Sequence, residues 1–147
     1  MDNSFKVMAF YEFAKIDNTS FIANSISLYC KQENIRGTVI IAPEGINGTL
    51  AGFISSIDKF AEFITSLGFK NLNTKYSIAE IMPFYRLKVK EKKEIITMLG
   101  SSIDPSTPRG EMVSPNEWNE LINQTDTIII DVRNEYESNI GSFNNAL

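Results

Sequence analysis

Basic side chains at alternating positions are the residues of this chain best suited to bind a ligand. They lie in the segment FYRLKVKEKK, residues 84–93. Lysine and arginine neutralise phosphate groups, and rings such as those of Phe84 and Tyr85 can stack on nucleic-acid bases. A solvated edge strand, kept soluble by its lysines, is the alternative. The candidate contacts to nucleic-acid phosphates are Arg86, Lys88, Lys90, Lys92 and Lys93.

Charge is distributed unevenly along this chain of 147 residues, whose net charge is −4. Residues 70–93 hold seven basic and two acidic side chains, whereas residues 94–147 hold two basic and nine acidic ones. Screening limits the reach of exposed charges to about 10 Å, so local composition sets the local field. An acidic protein can therefore still present a basic surface to a polyanion.

A second candidate site is the glycine-containing stretch GTVIIAPEGINGTLAG, residues 37–52. Gly45 and Gly48 could cradle an anion on their backbone N–H groups if a helix followed them. A strand-forming sequence follows instead, and glycine and asparagine tolerate the positive φ of tight turns. The stretch therefore predicts a β-hairpin with its turn within residues 43–48, and not a catalytic loop.

The composition contains few residues that could act as nucleophiles or metal ligands. The chain has one cysteine and no histidine, which excludes an internal disulfide, a multi-thiolate zinc site and the usual general base. Cys30 shares a helical spacing with Ile22 and Ile26, so we expect a buried, structural thiol. Asp131 and Arg133 end an apolar segment and are interpreted as a structural ion pair. We predict no catalytic residue and no metal site in this chain.

The elements that position these residues follow from hydrophobic periodicity. Strands are predicted at residues 6–13, 38–42, 49–52 and 73–81, with one helix ending near Asn34 and another, begun by a Ser55–Asp58 capping box, ending at Gly68. The order βαββαβ is that of the α+β ferredoxin-like split βαβ sandwich, with two helices on one face of a sheet. Residues 86–90 would then form an exposed edge strand or an arm leaving the domain.

Acylphosphatase activity, which this topology can support, is excluded by one loop. That chemistry needs a phosphate cradle with an arginine between the first strand and the first helix. Residues 14–19, AKIDNT, contain neither glycine nor arginine. The topology is therefore expected without that reaction.

The last third of the chain predicts a second domain. Residues 100–110, GSSIDPSTPRG, lack any hydrophobic period and indicate a linker. Ser114, Pro115 and Glu117 then fit the first positions of a helix, and the apolar run from Thr127 to Val132 is typical of a strand in a parallel sheet. The predicted division is a ferredoxin-like domain at 1–99, a linker at 100–113 and an incomplete α/β domain at 114–147.

Neither membrane insertion nor export is predicted. No segment reaches the apolar length that crosses a bilayer, and residues 1–10 lack the basic start and apolar middle of a signal peptide. We therefore expect a cytoplasmic protein without a membrane partner.

Three stretches together resemble the rhodanese-domain tRNA uridine hydroxylase family in its bacterial, two-domain form. They are GTVIIAPEGINGTLAG, RLKVKEKKEIITMLG and the C-terminal VSPNEWNELI with TIIIDVRNEYESNIGSFNNA. The resemblance covers almost the whole chain. It implies a ferredoxin-like (acylphosphatase-like) N-terminal domain followed by the opening segment of a rhodanese domain, in which Ser142 and Phe143 stand where many rhodaneses have His and Ile.

The resemblance implies a function as well as a fold. Members of that family hydroxylate carbon 5 of the wobble uridine in tRNA, an oxidoreductase reaction that depends on dioxygen and is linked to prephenate. Their catalytic cysteine is expected beyond Leu147, so this chain by itself is expected to be inactive, and its incomplete rhodanese segment could self-associate. Two alternatives stay open: a non-catalytic binding or interaction module, and a fragment of a rhodanese-type sulfurtransferase.

Overall fold

The computed structural model describes residues 4–95, 110–111 and 113–147. The chain forms two compact units, Met1–Thr107 and Pro108–Leu147. Most of the predicted linker, 100–113, lies outside the described residues, so the predicted domain boundaries stay predictions. In the part of the chain that is described, no helix has the length and apolar character needed to cross a membrane.

Unit 1 is built on a five-stranded sheet in the order β4-β1-β3-β2-β5. The strands and helices are β1 (Phe5–Phe13), α1 (Thr19–Gln32), β2 (Arg36–Ala42), β3 (Gly45–Phe53), α2 (Ile54–Ser66), β4 (Asn73–Ala79) and β5 (Leu87–Glu91). The first four strands pair antiparallel, and β5 joins β2 in parallel. The predicted α+β ferredoxin-like order is therefore confirmed, with β5 as an additional edge strand.

The core of unit 1 lies between the sheet and its two helices. Met8, Phe10 and Leu50 face this layer and are almost completely buried, as are Ile26 of α1 and Phe60 of α2. We call this side of the sheet the helix face. Because side chains alternate along a strand, the other residues of each strand form the opposite side, the open face, on which no described helix of unit 1 lies.

Two local predictions in unit 1 are corrected. The predicted Ser55–Asp58 capping box is absent, because β3 runs directly into α2 and Phe53 takes the N-cap position without a side-chain bond. Asp58 instead pairs with Lys6 of β1, with 2.6 Å between carboxylate and ammonium. The hairpin turn is also shorter than predicted: it comprises only Pro43 and Glu44, since β3 already begins at Gly45.

The described residues of unit 2 form two short helices, α3 (Pro115–Leu121) and α4 (Glu135–Ser138). The predicted start of α3 is confirmed, since the Ser114 side chain accepts from the Glu117 N–H and the Glu117 carboxylate accepts from the Ser114 N–H. The strand predicted from Thr127 to Val132 is wrong: this segment is not a strand. Among the described residues its backbone bonds run to Leu147, apart from the Thr127 N–H, which donates to the Gln124 carbonyl at 3.3 Å. A strand needs a paired neighbour.

We expect amide hydrogens of unit 2 to exchange much faster than those of the unit 1 sheet. Ile129 is buried, but Ile128 and Val132 are 74% and 91% exposed, so little apolar contact opposes local opening. Hydrogen exchange followed by mass spectrometry measures both units in one sample. Equal protection of residues 5–79 and 113–147 would contradict this expectation.

Candidate nucleic-acid interface

The basic segment forms an edge strand that is fixed to unit 1. Leu87 and Val89 pair with Gly37 and Val39 of β2 and pack against the core. The Gly37 N–H donates to the Arg86 carbonyl at 3.2 Å, and the Lys92 N–H donates to the Ile41 carbonyl at 2.8 Å. Residues 86–92 are thus held at both ends of the strand and do not leave the domain as an arm.

All five predicted contact residues are solvent-exposed. Lys88 and Lys90 alternate with the packed apolar residues and therefore lie on the open face. Arg86 precedes the strand, while Lys92 and Lys93 follow it. None of the five forms an ion pair with another described residue. Their positive charge is therefore available to a partner, as phosphate binding requires.

Glu91 fixes this strand to α1. Its carboxylate accepts hydrogen bonds from the hydroxyls of Thr19 and Ser20, both at 2.8 Å. These residues begin α1, whose N-cap Asn18 accepts from the Phe21 N–H. An acidic group at a helix N-terminus also interacts favourably with the helix dipole. Glu91 therefore sets the position of the neighbouring lysines, a role that no periodicity in the sequence indicates.

We expect Glu91→Gln to destabilise unit 1 by about 1 kcal/mol, since a neutral amide weakens both hydroxyl bonds and the dipole interaction. Urea unfolding followed by circular dichroism measures the loss. Glu62→Gln, at an exposed position on α2 instead of β5, is the matched control and should leave the unfolding free energy nearly unchanged. Equal effects of the two substitutions would contradict the anchoring role of Glu91.

The glycine-containing hairpin has a structural role. Gly45 has φ +150° and pairs with Phe13 of β1 and Ala42 of β2, so its backbone belongs to the sheet and not to an anion cradle. The turn also holds the β1–α1 loop: the carbonyls of Glu44 and Pro43 accept from the N–H groups of Ala14 and Ile16, at 3.0 and 2.9 Å. The hairpin interpretation is confirmed.

The same loop gives no support to phosphate chemistry. Its exposed Lys15 and Asp17 side chains pair with each other at 3.4 Å. It borders a cavity of about 320 Å³ that also touches Phe21 and Phe69. The loop itself contains no arginine that could hold a bound phosphate.

Cys30 is fully buried in the core, as predicted from its position on α1. Burial raises the pKa of its thiol to about 12, because the surrounding apolar groups do not solvate a thiolate. The thiol therefore stays protonated at neutral pH and is a poor nucleophile. Among the described residues there is also no group of acidic and cysteine side chains that could hold a metal ion.

We expect a thiol reagent to label native Cys30 very slowly and to label it quickly in urea. The same pKa shift makes stability depend on pH. Since the folded thiol has the higher pKa, its contribution to stability is complete below the ordinary thiol pKa of about 9 and is lost as pH rises towards 12. Labelling rates at pH 8, with and without denaturant, provide the measurement. Rapid labelling of the folded chain would show that the thiol is accessible.

Asp131 and Arg133 form the ion pair that the sequence predicts. The Arg133 guanidinium donates to both carboxylate oxygens of Asp131, at 2.9 and 2.6 Å, and to the Gly141 carbonyl at 2.7 Å. The Ser142 hydroxyl also donates to Asp131. The bonds from Arg133, followed by that from Ser142, hold the pKa of Asp131 well below its usual value. The pair borders an apolar cavity of about 470 Å³ that includes Trp118 and Phe143, and it has a structural role.

Two cations on the open face were not found from the sequence. Arg36 of β2 and Lys75 of β4 lie on the same side of the sheet as Lys88 and Lys90. Neither residue is part of the segment 84–93, and only the strand order brings them onto one surface. The alternation of β2 and β4 could have placed each residue on a face, but the common face depends on register.

Comparison with known proteins gives a consistent result. The family model of the UPF0176 acylphosphatase-like domain matches residues 5–95. Two proteins named tRNA uridine(34) hydroxylase are similar over nearly the whole chain. The protein from Bartonella bacilliformis is 41% identical over 148 residues, which are 100% of this chain and 48% of that protein. The protein from Mesorhizobium japonicum is 42% identical over 143 residues, 97% of this chain and 46% of that protein.

The chain spans about half the length of these curated relatives. Among solved structures, an acylphosphatase from Coxiella burnetii has a TM-score of 0.45 and 15% identity, covering 60% of this chain and 94% of that one. An acylphosphatase from Bacillus subtilis has a TM-score of 0.46 and 13% identity, covering 58% of this chain and 98% of that one.

Proposed function

This chain belongs to the family of the UPF0176 acylphosphatase-like domain, and we propose that it forms the tRNA-holding part of an enzyme that hydroxylates carbon 5 of the wobble uridine in tRNA. The observation that carries the proposal is the similarity of the whole chain to proteins named tRNA uridine(34) hydroxylase. In this proposal unit 1 binds the tRNA, and residues 114–147 open a rhodanese domain.

In this proposal the exposed lysines bind the tRNA backbone. Lys88 and Lys90 project from a strand that is fixed by Glu91, so the backbone that carries them keeps a defined position. Lys92 and Lys93 continue the positive charge beyond the strand. Contacts of this kind position a nucleic acid without reading its sequence. Recognition of particular tRNAs would then depend on other residues of the enzyme.

The oxygen chemistry is proposed to lie outside the residues that the structure describes. Cys30 is buried and protonated, and Asp131 is held by Arg133 and Ser142, so these groups supply no nucleophile. We propose that the catalytic cysteine belongs to the rhodanese part of the enzyme, as the family resemblance implies. Dioxygen and prephenate, which the same resemblance implies, are assigned to no residue of this chain.

The proposal is tested in cells by removing the gene that encodes this chain and analysing the nucleosides of purified tRNA. Loss of 5-hydroxyuridine derivatives at the wobble position is expected, and the complete gene should restore them. Sulfur transfer would instead remove a thiolated nucleoside. Adding oxygen and replacing oxygen by sulfur change the mass of a nucleoside by almost the same amount. Chromatography combined with exact mass is therefore used to separate the two cases. An unchanged nucleoside pattern would favour a non-catalytic binding module.

A further inference from the structure

Aromatic side chains occupy both ends of the open face. At one end Phe5 and Phe53 are paired across β1 and β3, with ring centroids 5.3 Å apart. At the other end Tyr11 and Phe13 meet at 6.2 Å. Tyr11 is 46% exposed and Phe53 is 50% exposed, so each presents a large ring surface to solvent. These four residues are the aromatic strip.

Small side chains separate the two ends of the aromatic strip. Ala9, Thr49 and Ala51 lie between them on the open face. Tyr11 lies six positions after Phe5 on β1, which corresponds to roughly 20 Å of strand. Between the exposed rings at its two ends, the open face therefore carries small, mostly apolar side chains, of which Ala51 is fully buried. Flat planar groups could lie against such a surface.

Positive charge borders the aromatic strip on both sides. Lys75 lies on β4 at one edge of the sheet, while Arg36, Lys88 and Lys90 lie on β2 and β5 towards the other. The strands contain only two acidic residues, Glu12 and Glu91, and both are on the helix face. The Glu12 carboxylate accepts from the Asn71 N–H at 3.0 Å. The open-face positions of the strands therefore carry four cations and no carboxylate.

A cavity adjoins one end of the strip. It measures about 320 Å³ and is lined by Tyr11, Phe13, Ile46, Asn47 and Ile95. This volume is within the range of small-molecule sites. The Asn47 amide can both donate and accept hydrogen bonds, as recognition of a base edge requires.

We propose that the open face binds single-stranded RNA, with bases stacked on Tyr11 and Phe53 and phosphates held by the cations at the two edges; this proposal rests on the function proposed above. The cations of the open face favour a polyanion as the ligand. The exposed rings of the aromatic strip favour a polyanion whose bases are free to stack. Paired bases are already stacked inside a duplex, so the surface fits an RNA loop better than a helix. Stacking of bases on sheet aromatics is a known mode of RNA recognition.

The test compares Tyr11→Leu/Phe53→Leu with the wild-type 147-residue chain. The probes are a fluorescently labelled RNA hairpin with a single-stranded loop and a fully paired RNA duplex of equal length. We expect the double variant to bind the hairpin roughly 5- to 100-fold more weakly, since ring stacking is lost, and to keep its affinity for the duplex. The salt dependence of hairpin binding should not change, because no phosphate contact is removed.

The matched control is Tyr76→Leu. Tyr76 is 48% exposed and lies on β4, but on the helix face, where the Lys6 ammonium lies 4.6 Å from its ring centroid. Tyr76→Leu should leave hairpin affinity unchanged, and Tyr11→Phe, which keeps the ring, should bind like the wild type. If circular dichroism shows that the double variant does not fold, the two single substitutions decide the same question.

Three results would overturn the proposal. One is no hairpin binding by the wild-type chain, and another is equal hairpin affinity of the folded Leu variants and the wild type. The third is an unchanged hairpin affinity of the Leu variants together with a lower molar mass of these variants than of the wild type. That result would show that a second copy of the chain covers this face. If the variants bind as expected but removal of the gene leaves wobble uridine unaltered, the proposed function fails while the RNA-binding face stands.

Discussion

Gly45→Ala is expected to lower the free energy of unfolding by about 3 kcal/mol or more, because two costs coincide at this position. Its φ of +150° is unfavourable for any residue with a side chain. An added Cβ would also overlap the Glu12 carbonyl oxygen and come within 3.0 Å of the Phe13 Cα, both of which belong to the backbone of β1. The central strand pair would have to separate. Urea unfolding followed by circular dichroism measures the change.

Two other glycines serve as controls that separate these costs. Gly68 has φ +107°, and a methyl group added to it would meet no atom beyond its own chain neighbours within 4 Å, so Gly68→Ala should cost only the backbone term of about 1–2 kcal/mol. Gly48 does not have positive φ, contrary to the sequence-based interpretation. Its Cβ would lie 2.7 Å from Phe10 Cζ, so Gly48→Ala should cost about 1 kcal/mol or more through packing. The expected ranking would be contradicted if Gly45→Ala were as stable as Gly48→Ala and Gly68→Ala, or more stable.

Replacing Lys88, Lys90, Lys92 and Lys93 by glutamine is expected to weaken tRNA binding strongly and to reduce its dependence on salt. Each neutralised phosphate releases counterions, so the slope of log affinity against log salt should decrease by roughly one for each lysine removed. The loss should be similar for unrelated tRNAs, since phosphate contacts carry no sequence information. Affinity at several salt concentrations, measured with the complete enzyme, provides the slope.

The matched control removes four lysines that are exposed elsewhere on unit 1. They are Lys15, Lys31, Lys59 and Lys70. Both variants change the net charge equally, so a general electrostatic effect would alter both slopes to the same extent. Two results would show that β5 is only a solvated edge strand. One is equal slopes of the two variants, and the other is an unchanged affinity of the folded Lys88/Lys90/Lys92/Lys93 variant. Binding of tRNA would then be a property of other parts of the enzyme.

The amino-acid sequence alone determined the order of elements in unit 1 and the residues that each element buries. Hydrophobic periodicity is a local property, and it placed Cys30, Ile57 and Phe60 in the core correctly. The start of α3 was also local, because Ser114 and Glu117 bond to backbone atoms only three residues away. The same locality explains the failure at Thr127 to Val132, since an apolar run favours a strand but pairing with a neighbour is what forms one.

The tertiary structure decided which side chains share a surface. Arg36, Lys75 and Lys88 are far apart in sequence, and no local pattern relates them. Strand order places β4 and β5 at opposite edges of one sheet, and register turns all three side chains to the same face. The bond from Glu91 to α1 likewise joins residues more than seventy positions apart. A one-residue shift of register would move each strand's side chains to the other face, so this surface depends on pairings across the whole sheet and not on any single segment.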